Sequence, residues 1–329
     1  MGSGIDDGAP AARRAAHGPD GRRPPPGSGR RVVTALHRRR RTTAGAGALA
    51  LLVIVIVAIG VGGGGVATKV ARGPAPLGLF TRIRLLAGDG TTSFAAEESR
   101  ALSRAIDRTL AYTPYVRVAG AQHRELALTF DDGPGPYTPD VLAILQRDHV
   151  PGTFFEVGVE EQYFHASTTQ IVRDGLPIGD HTEDHRPMSQ LSRADQKSQL
   201  LRDAAAIGAY GAPFPRLFRP PDGVWNATTL SLLARYRMLM VLWTVDTNDY
   251  QLPGVSAIVD SAVDGARPGA IILLHDAGGN RAETVAALPI IIRDLHRRGY
   301  KLVTVPQLLL DNPAPHDQDI VGLTGLGGA

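Results

Sequence analysis

Residues Glu125–Pro136, ELALTFDDGPGP, run a strand-like apolar stretch into two adjacent carboxylates and then into a Gly/Pro turn. Taken alone, DDGPGP reads as a turn with an Asx cap. Like charges side by side stay ionised cheaply only when solvated or near a cation, so the pair Asp131 and Asp132 raises the question of what faces it. Working outward, six further runs have strand character: GTFFEVG (152–158), LPIGDH (176–181), RLFRP (216–220), MLMVLWTV (238–245), AIILLHD (270–276) and YKLVTV (300–305). Amphipathic helical patterns lie between most of them, an alternation that predicts parallel strands with crossover helices, hence an α/β sheet or barrel. Polar residues recur at the C-terminal ends of these runs: Asp131 and Asp132, His181, Arg219, Asp246 to Asp249, and His275. In parallel α/β folds those ends share one face, where active sites sit.

HTEDH, His181 to His185, places two imidazoles four residues apart, a spacing that suits zinc or a similar divalent ion. Two surface histidines would give the same pattern. With an Asp from an earlier strand, the set has the His-His-carboxylate composition of a catalytic metal site that leaves room for water. ILLHD ends a strongly apolar strand in His275, either a titratable acid or a satisfied core histidine. LFRPPDG sets Arg219 before two stiffening prolines, where its guanidinium could sit beside a carboxylate or simply be solvated. WTVDTNDY adds Asp246 and Asp249, with Trp243 and Tyr250 as walls or, for Trp243, core.

Together, TFDDGP, HTEDH, RPPDG, DTNDY and LLHD, in that order over roughly residues 122–310, resemble the polysaccharide deacetylases of carbohydrate esterase family four. The resemblance implies a distorted (β/α) barrel and a divalent metal, commonly zinc, with cobalt or nickel as alternatives. It implies that Asp132, His181 and His185 bind the metal, Asp131 is the general base and His275 the general acid. Arg219 would orient Asp131, and Asp249 would hold His275. Pro221, Asp222, Gly223, Trp243 and Tyr250 would line the substrate edge, with the Asp222 amide facing the acetyl oxygen. Two positions depart from the family pattern: Asp222 stands where many members have Tyr, and Tyr250 where many have Trp. The expected activity is removal of N-acetyl groups from a cell-wall glycan, peptidoglycan amino sugars first. Chitooligosaccharide, acetylxylan, or a catalytically silent glycan-binding module are the alternatives.

Charge is unevenly divided. Residues 1–41 carry ten Arg and three Asp, a local net of +7 against +3 for the whole chain, leaving −4 for the rest. The basic character therefore belongs to the tail, and no nucleic-acid-binding face is expected on the folded part. Absence of cysteine excludes disulfides and thiolate metal sites. Residues 1–43 read as a disordered cytoplasmic tail. Ala44–Thr68 has no charged residue and is long enough to cross a bilayer as one transmembrane helix. Arg38 to Arg41 precede it, so the N-terminus is expected in the cytoplasm and everything after residue 70 outside; the alternative is secretion after cleavage. Residues 69–121 read as a stalk and lead-in helix, with Leu102, Ile106 and Leu110 at helical spacing. Residues 122–310 read as the catalytic domain and 311–329 as a flexible tail. No obligate protein partner is implied.

Overall fold

The computed structural model describes residues 89–318; the expected tail at 1–43, the span at 44–68 and residues 319–329 lie outside them. No helix among the described residues is long and apolar enough to cross a membrane. In chain order the elements are α1 (Asp89–Leu110), β1 (Tyr115–Val116), β2 (Glu125–Gly133), α2 (Thr138–Arg147), β3 (Thr153–Glu156), α3 (Glu161–Arg173), β4 (Ile178–Asp180), α4 (Arg193–Gly208), β5 (Leu217–Phe218), α5 (Ala227–Tyr236), β6 (Leu239–Val241), β7 (Val245–Asp246), α6 (Val255–Asp264), β8 (Ile271–His275), α7 (Ala282–Arg297), β9 (Lys301–Leu302) and α8 (Val305–Asp311).

Strand β2 is buried along almost its whole length, as a parallel strand covered on both faces must be. Its residues alternate between two apolar clusters. Leu126, Leu128 and Phe130 pack with Val141 and Leu142 of α2 and Leu288 and Ile291 of α7. Ala127 faces the other way, toward Phe155, Leu239 and Ile271. By the same period of two, Thr129 and Asp131 share the side of Ala127, inside the curve of the sheet. All named strand pairs are parallel, in the order β1-β6-β5-β4-β3-β2-β8-β7, with β9 also on β2.

That order forces the sheet to curl into a distorted (β/α) half-barrel. Strands β6 and β7 lie toward opposite ends of it yet are separated in sequence only by Leu242, Trp243 and Thr244. Laid flat, six interstrand spacings of about 4.8 Å would part them by roughly 29 Å. Four residue steps reach about 14 Å at most. The connection closes only if the two flanks approach each other, and its amides bond to both: Leu242 N–H to Val116 O (2.7 Å) and Thr244 N–H to Ile271 O (2.8 Å). The sequence expectation of one strand over 238–245 is corrected here. The run breaks where Val241 and Leu242 turn their carbonyls to the guanidinium of Arg219, at 3.0 and 3.3 Å.

The lead-in helix is part of this fold. Ala105 and Ile106 of α1 share an apolar cluster with Leu308 and Leu309 of α8, and β1 pairs with β6. Nor is the chain loose from 311 to 318. Asn312 accepts the His123 N–H (2.6 Å) and donates to Glu125 (2.9 Å), while the Gln318 side chain accepts the amides of Arg117 (2.8 Å) and Val118 (3.1 Å). These side-chain amides satisfy backbone donors before β2, which a composition-based reading of a Gly/Pro-rich end does not register.

Candidate active site

Adjacent residues of a regular strand point to opposite faces, so Asp131 and Asp132 could not share a pocket without a defect. The defect is present. The pairing of β2 with β3 shifts register between Asp131 and Gly133, and Asp132 adopts a left-handed conformation (φ 71°) that re-aims its carboxylate. Asp132 Oδ1 then lies 3.2 Å from His185 Nε2 and 3.6 Å from His181 Nε2, and Asp131 Oδ2 lies 3.7 Å from His181 Nε2.

The histidine loop follows β4. His181 Nδ1 donates to Arg219 O at 2.7 Å; a carbonyl can only accept, so in the neutral ring the Nε2 lone pair faces the carboxylates. Thr182 and His185 also have positive φ (73° and 57°), costs held in place by local bonds: Thr182 N–H to Asp180 (2.9 Å) and His185 N–H to Thr182 Oγ1 (3.0 Å). One ligand atom each from Asp132, His181 and His185 lies within 4.8 Å of the others. Asp132 Oδ1 is buried without an aligned hydrogen-bond donor, an orphan in the middle of a ligand set, so these residues fit a divalent cation. Each of Asp132 and His185 favours the charged form of the other, Asp132 as carboxylate and His185 with a proton on its ring. Burial opposes the charge on each, but the two histidines keep the Asp132 carboxyl well below the usual range, and Asp132 raises His185 above an ordinary imidazole. A bound cation would displace that proton.

Arg219 is fully buried and spends its donors inward: Asp131 Oδ1 (2.6 Å), Thr129 Oγ1 (2.9 Å) and the two carbonyls of the β6–β7 connection. Its guanidinium also stacks 4.2 Å over Phe155. Asp131 is thereby held by a cation on one oxygen while the other lies 3.7 Å from His181 Nε2 of the candidate metal-binding set. On the next strand, His275 pairs in register with Asp131, which makes the two cross-strand neighbours. Its Nδ1 donates to Asp249 Oδ1 (2.7 Å), and Asp249 Oδ2 accepts the His275 amide (2.8 Å) and the Thr284 hydroxyl (2.7 Å). Burial disfavours a charged imidazole, but Asp249 outweighs it and raises His275 above its ordinary value. Burial would likewise raise Asp249, yet the His275 contacts, with help from Thr284, hold it low.

The residues expected at the substrate edge divide. Pro221 and Gly223 are buried, and Asp222 (φ 56°) stands exposed at the rim, its charge felt at His185. Tyr250 is 43% exposed and meets His275 edge-on at 5.2 Å. Trp243 is different: expected at the wall, it is 7% exposed, packed with Met240 and Leu273, and would lie 3.0 Å from a Cβ at Gly223. It supports the PPDG turn from beneath, because the connection carrying it crosses the interior of the curl.

Several participants escape sequence reasoning. Thr129 and Thr284 are undistinguished until the fold places them on Arg219 and Asp249. Arg281, 4% exposed, ties the loop after β8 through Ala277 O (2.6 Å) and Gly278 O (3.1 Å), with Nη2 at 3.9 Å from Asp132 Oδ2. A Cβ at Gly278 (φ 71°) would collide with that same oxygen. Behind His181, burial pushes Asp180 up to about 7, and Asp203 well above the carboxylate range with the charge of Asp180 adding to it. Asp276, next after His275, is also raised by burial to about 7. The local pattern of acid residues on strand ends was the available signal for Asp180 and Asp276.

The pH profile follows from the His275–Asp249 pair. As a general acid His275 would have to carry its proton, so activity would be expected to fall as pH rises through its raised pKa. In Asp249→Asn the strongest raising partner is gone, leaving only the charges of Asp131 and Asp132 against the burial that lowers the pKa. The alkaline limb of kcat/KM is expected to move to lower pH; an unmoved limb would show that another group sets it.

A polysaccharide deacetylase family model matches residues 119–241. A peptidoglycan-N-acetylglucosamine deacetylase of Bacillus cereus is 38% identical over 187 residues, covering 56% of this chain and 87% of the relative. A chitooligosaccharide deacetylase of Bradyrhizobium sp. is 37% identical over 198 residues, 56% of this chain and 90% of the relative. Among solved structures, a peptidoglycan N-acetylglucosamine deacetylase in complex with a hydroxamate-type benzamide superposes with a TM-score of 0.59 at 27% identity, covering 64% of this chain and 97% of that one.

Proposed function

The chain belongs to the polysaccharide deacetylase family, and from that premise we propose that it is a metal-dependent hydrolase removing N-acetyl groups from a cell-wall glycan. Peptidoglycan amino sugars are the substrate this reading favours, in line with the activity named for the Bacillus cereus relative. The observation that carries it is the position of Asp131, clamped by Arg219 at 2.6 Å, beside the Asp132–His181–His185 triad and in register with His275.

A divalent ion held by Asp132, His181 and His185, with zinc favoured over cobalt or nickel, would supply Lewis acidity, acidifying a water and polarising the acetyl carbonyl. Asp131 takes the proton of the attacking water as the new C–O bond forms. Arg219 keeps that carboxylate aimed and takes no proton itself. His275 delivers its proton to the amide nitrogen as the C–N bond breaks, so the amine leaves neutral beside acetic acid, which then ionises to acetate by losing its proton to water; Asp249 keeps the imidazole oriented with Nε2 outward. The Asp222 N–H faces the developing oxyanion in this reading, and Tyr250 bounds the sugar. The carboxylate of Asp222 at the rim disfavours anionic groups on the sugar next to the reacting one.

Ala44–Thr68 would anchor the enzyme in the cell membrane by a single span, with the N-terminal tail in the cytoplasm and the catalytic domain outside. The test is acetate release by the full chain in detergent from peptidoglycan, chitooligosaccharides and acetylxylan, with and without a chelator. Chelator-sensitive release, fastest on peptidoglycan, is expected. Faster release from another glycan would reassign the substrate. No release from any of them with metal bound would make the protein a glycan-binding module.

A further inference from the structure

Helix α4 does not contact the candidate reacting groups, yet one of its faces is committed to the loop that carries both histidines. Gln199, Arg202 and Asp203 are spaced i, i+3, i+4 and therefore project together. Each meets a different residue of His181–His185. Asp203 Oδ2 accepts the His181 N–H at 3.1 Å, a donor shared with Glu156 O at 2.9 Å. Arg202 donates to the Glu183 carboxylate at 2.8 Å, and Gln199 Oε1 accepts the Asp184 N–H at 3.1 Å. Asp203 and Gln199 are buried, 0% and 3% exposed, where an apolar side chain would pack without desolvating a polar group.

The loop is held from outside at several points: Gly158 N–H donates to Thr182 O (3.2 Å), Val159 N–H to Glu183 O (2.8 Å) and His181 Nδ1 to Arg219 O (2.7 Å), and α4 adds the side-chain contacts. Thr182 and His185 have positive φ, a conformation L-residues rarely adopt, and the bonds among Asp180, Thr182 and His185 tie the loop only to itself. Helix α4 is itself fixed at its start. Ser192 caps it by accepting the Asp195 N–H, and Gln196 donates to Leu191 O (3.1 Å) and Asn226 (3.3 Å) and accepts from Thr229 (2.8 Å). Asn226 precedes α5, three residues after the PPDG turn.

We propose that the Gln199–Arg202–Asp203 face of α4 is a positioning clasp that preorganises His181 and His185 for metal binding. Its residues act through the loop and touch neither metal nor substrate. The inference rests on the reading of Asp132, His181 and His185 as metal ligands. Outer partners that orient metal ligands change affinity by about 10- to 100-fold when removed.

The test measures Zn2+ affinity of the full chain by chelator competition, and the visible spectrum of the Co2+-loaded protein, alongside thermal unfolding. Asp203→Ala and Gln199→Ala are expected to weaken Zn2+ binding by about 10- to 100-fold and to alter the Co2+ spectrum. Arg202→Ala, at an exposed side chain, should fold normally and weaken binding less. Asp203→Asn keeps an acceptor oxygen of the same reach and should restore near-wild-type affinity, which a loss through general destabilisation would not predict. Wild-type affinity and spectrum in both Asp203→Ala and Gln199→Ala would overturn the clasp. A wild-type chain that binds no Zn2+ would instead sink the metal-site reading, and the clasp with it.

Discussion

Asp131→Asn is expected to bind metal as the wild type does and to lose about 10²- to 10⁴-fold in kcat, the contribution of a positioned general base. The substitution keeps the shape of the side chain and an oxygen for Arg219, now 2.6 Å from Asp131 Oδ1, so the buried guanidinium retains a partner. What it removes is the ability to take a proton from water. The ligand atoms remain, because Asp132 Oδ1 rather than Asp131 lies nearest His185. Metal stoichiometry measured beside acetate release separates the two functions of the doublet. Near-normal turnover in Asp131→Asn would refute the assignment of the base.

His181→Ala should abolish both metal binding and activity. The imidazole is almost completely buried, lies within 3.7 Å of both carboxylates and bonds the backbone of Arg219 through Nδ1. Its loss removes one of the three candidate protein ligands and a bond between the histidine loop and the backbone of Arg219. The effect on affinity should exceed the roughly 10- to 100-fold change produced by outer partners. Zinc content after dialysis, together with acetate release, measures it. One equivalent of tightly held zinc in this variant would show that the triad is not the metal centre.

Much of this arrangement is legible in the sequence, for a physical reason. Parallel strands are buried on both faces, so ELALTF, GTFFEVG and AIILLHD stand out as apolar runs, and the polar residues that end them share one face. The lone apolar run over 238–245 misleads because hydrophobicity reports burial, and Leu242 and Trp243 are as buried in the connection as β6 is in the sheet. Trp243 is hidden for the same reason: nothing in WTVDTNDY distinguishes an aromatic wall from one beneath a turn. The side-chain partners Thr129, Thr284, Arg281 and Asp203 depend on contacts between residues distant in sequence. The bulge at Asp132 is similarly invisible, since a regular and a bulged strand end can carry the same letters, yet it alone lets neighbouring aspartates do different work.

The pairing of β2 has a bearing on how the chain is made. Strand β2 is complete by residue 133, but its neighbours β8 and β9 begin at 271 and 301, so one whole edge of it waits for well over half of the described chain to be synthesised. Contacts of such sequence separation form slowly, because loop closure must precede the contacts that reward it. Asp131 and Asp132 therefore exist on an open strand edge before His275 does. On the proposed assignments, the nascent protein would bring its metal ligands together before it has a proton donor, and a chain truncated before residue 271 would expose an apolar edge prone to pairing with other chains.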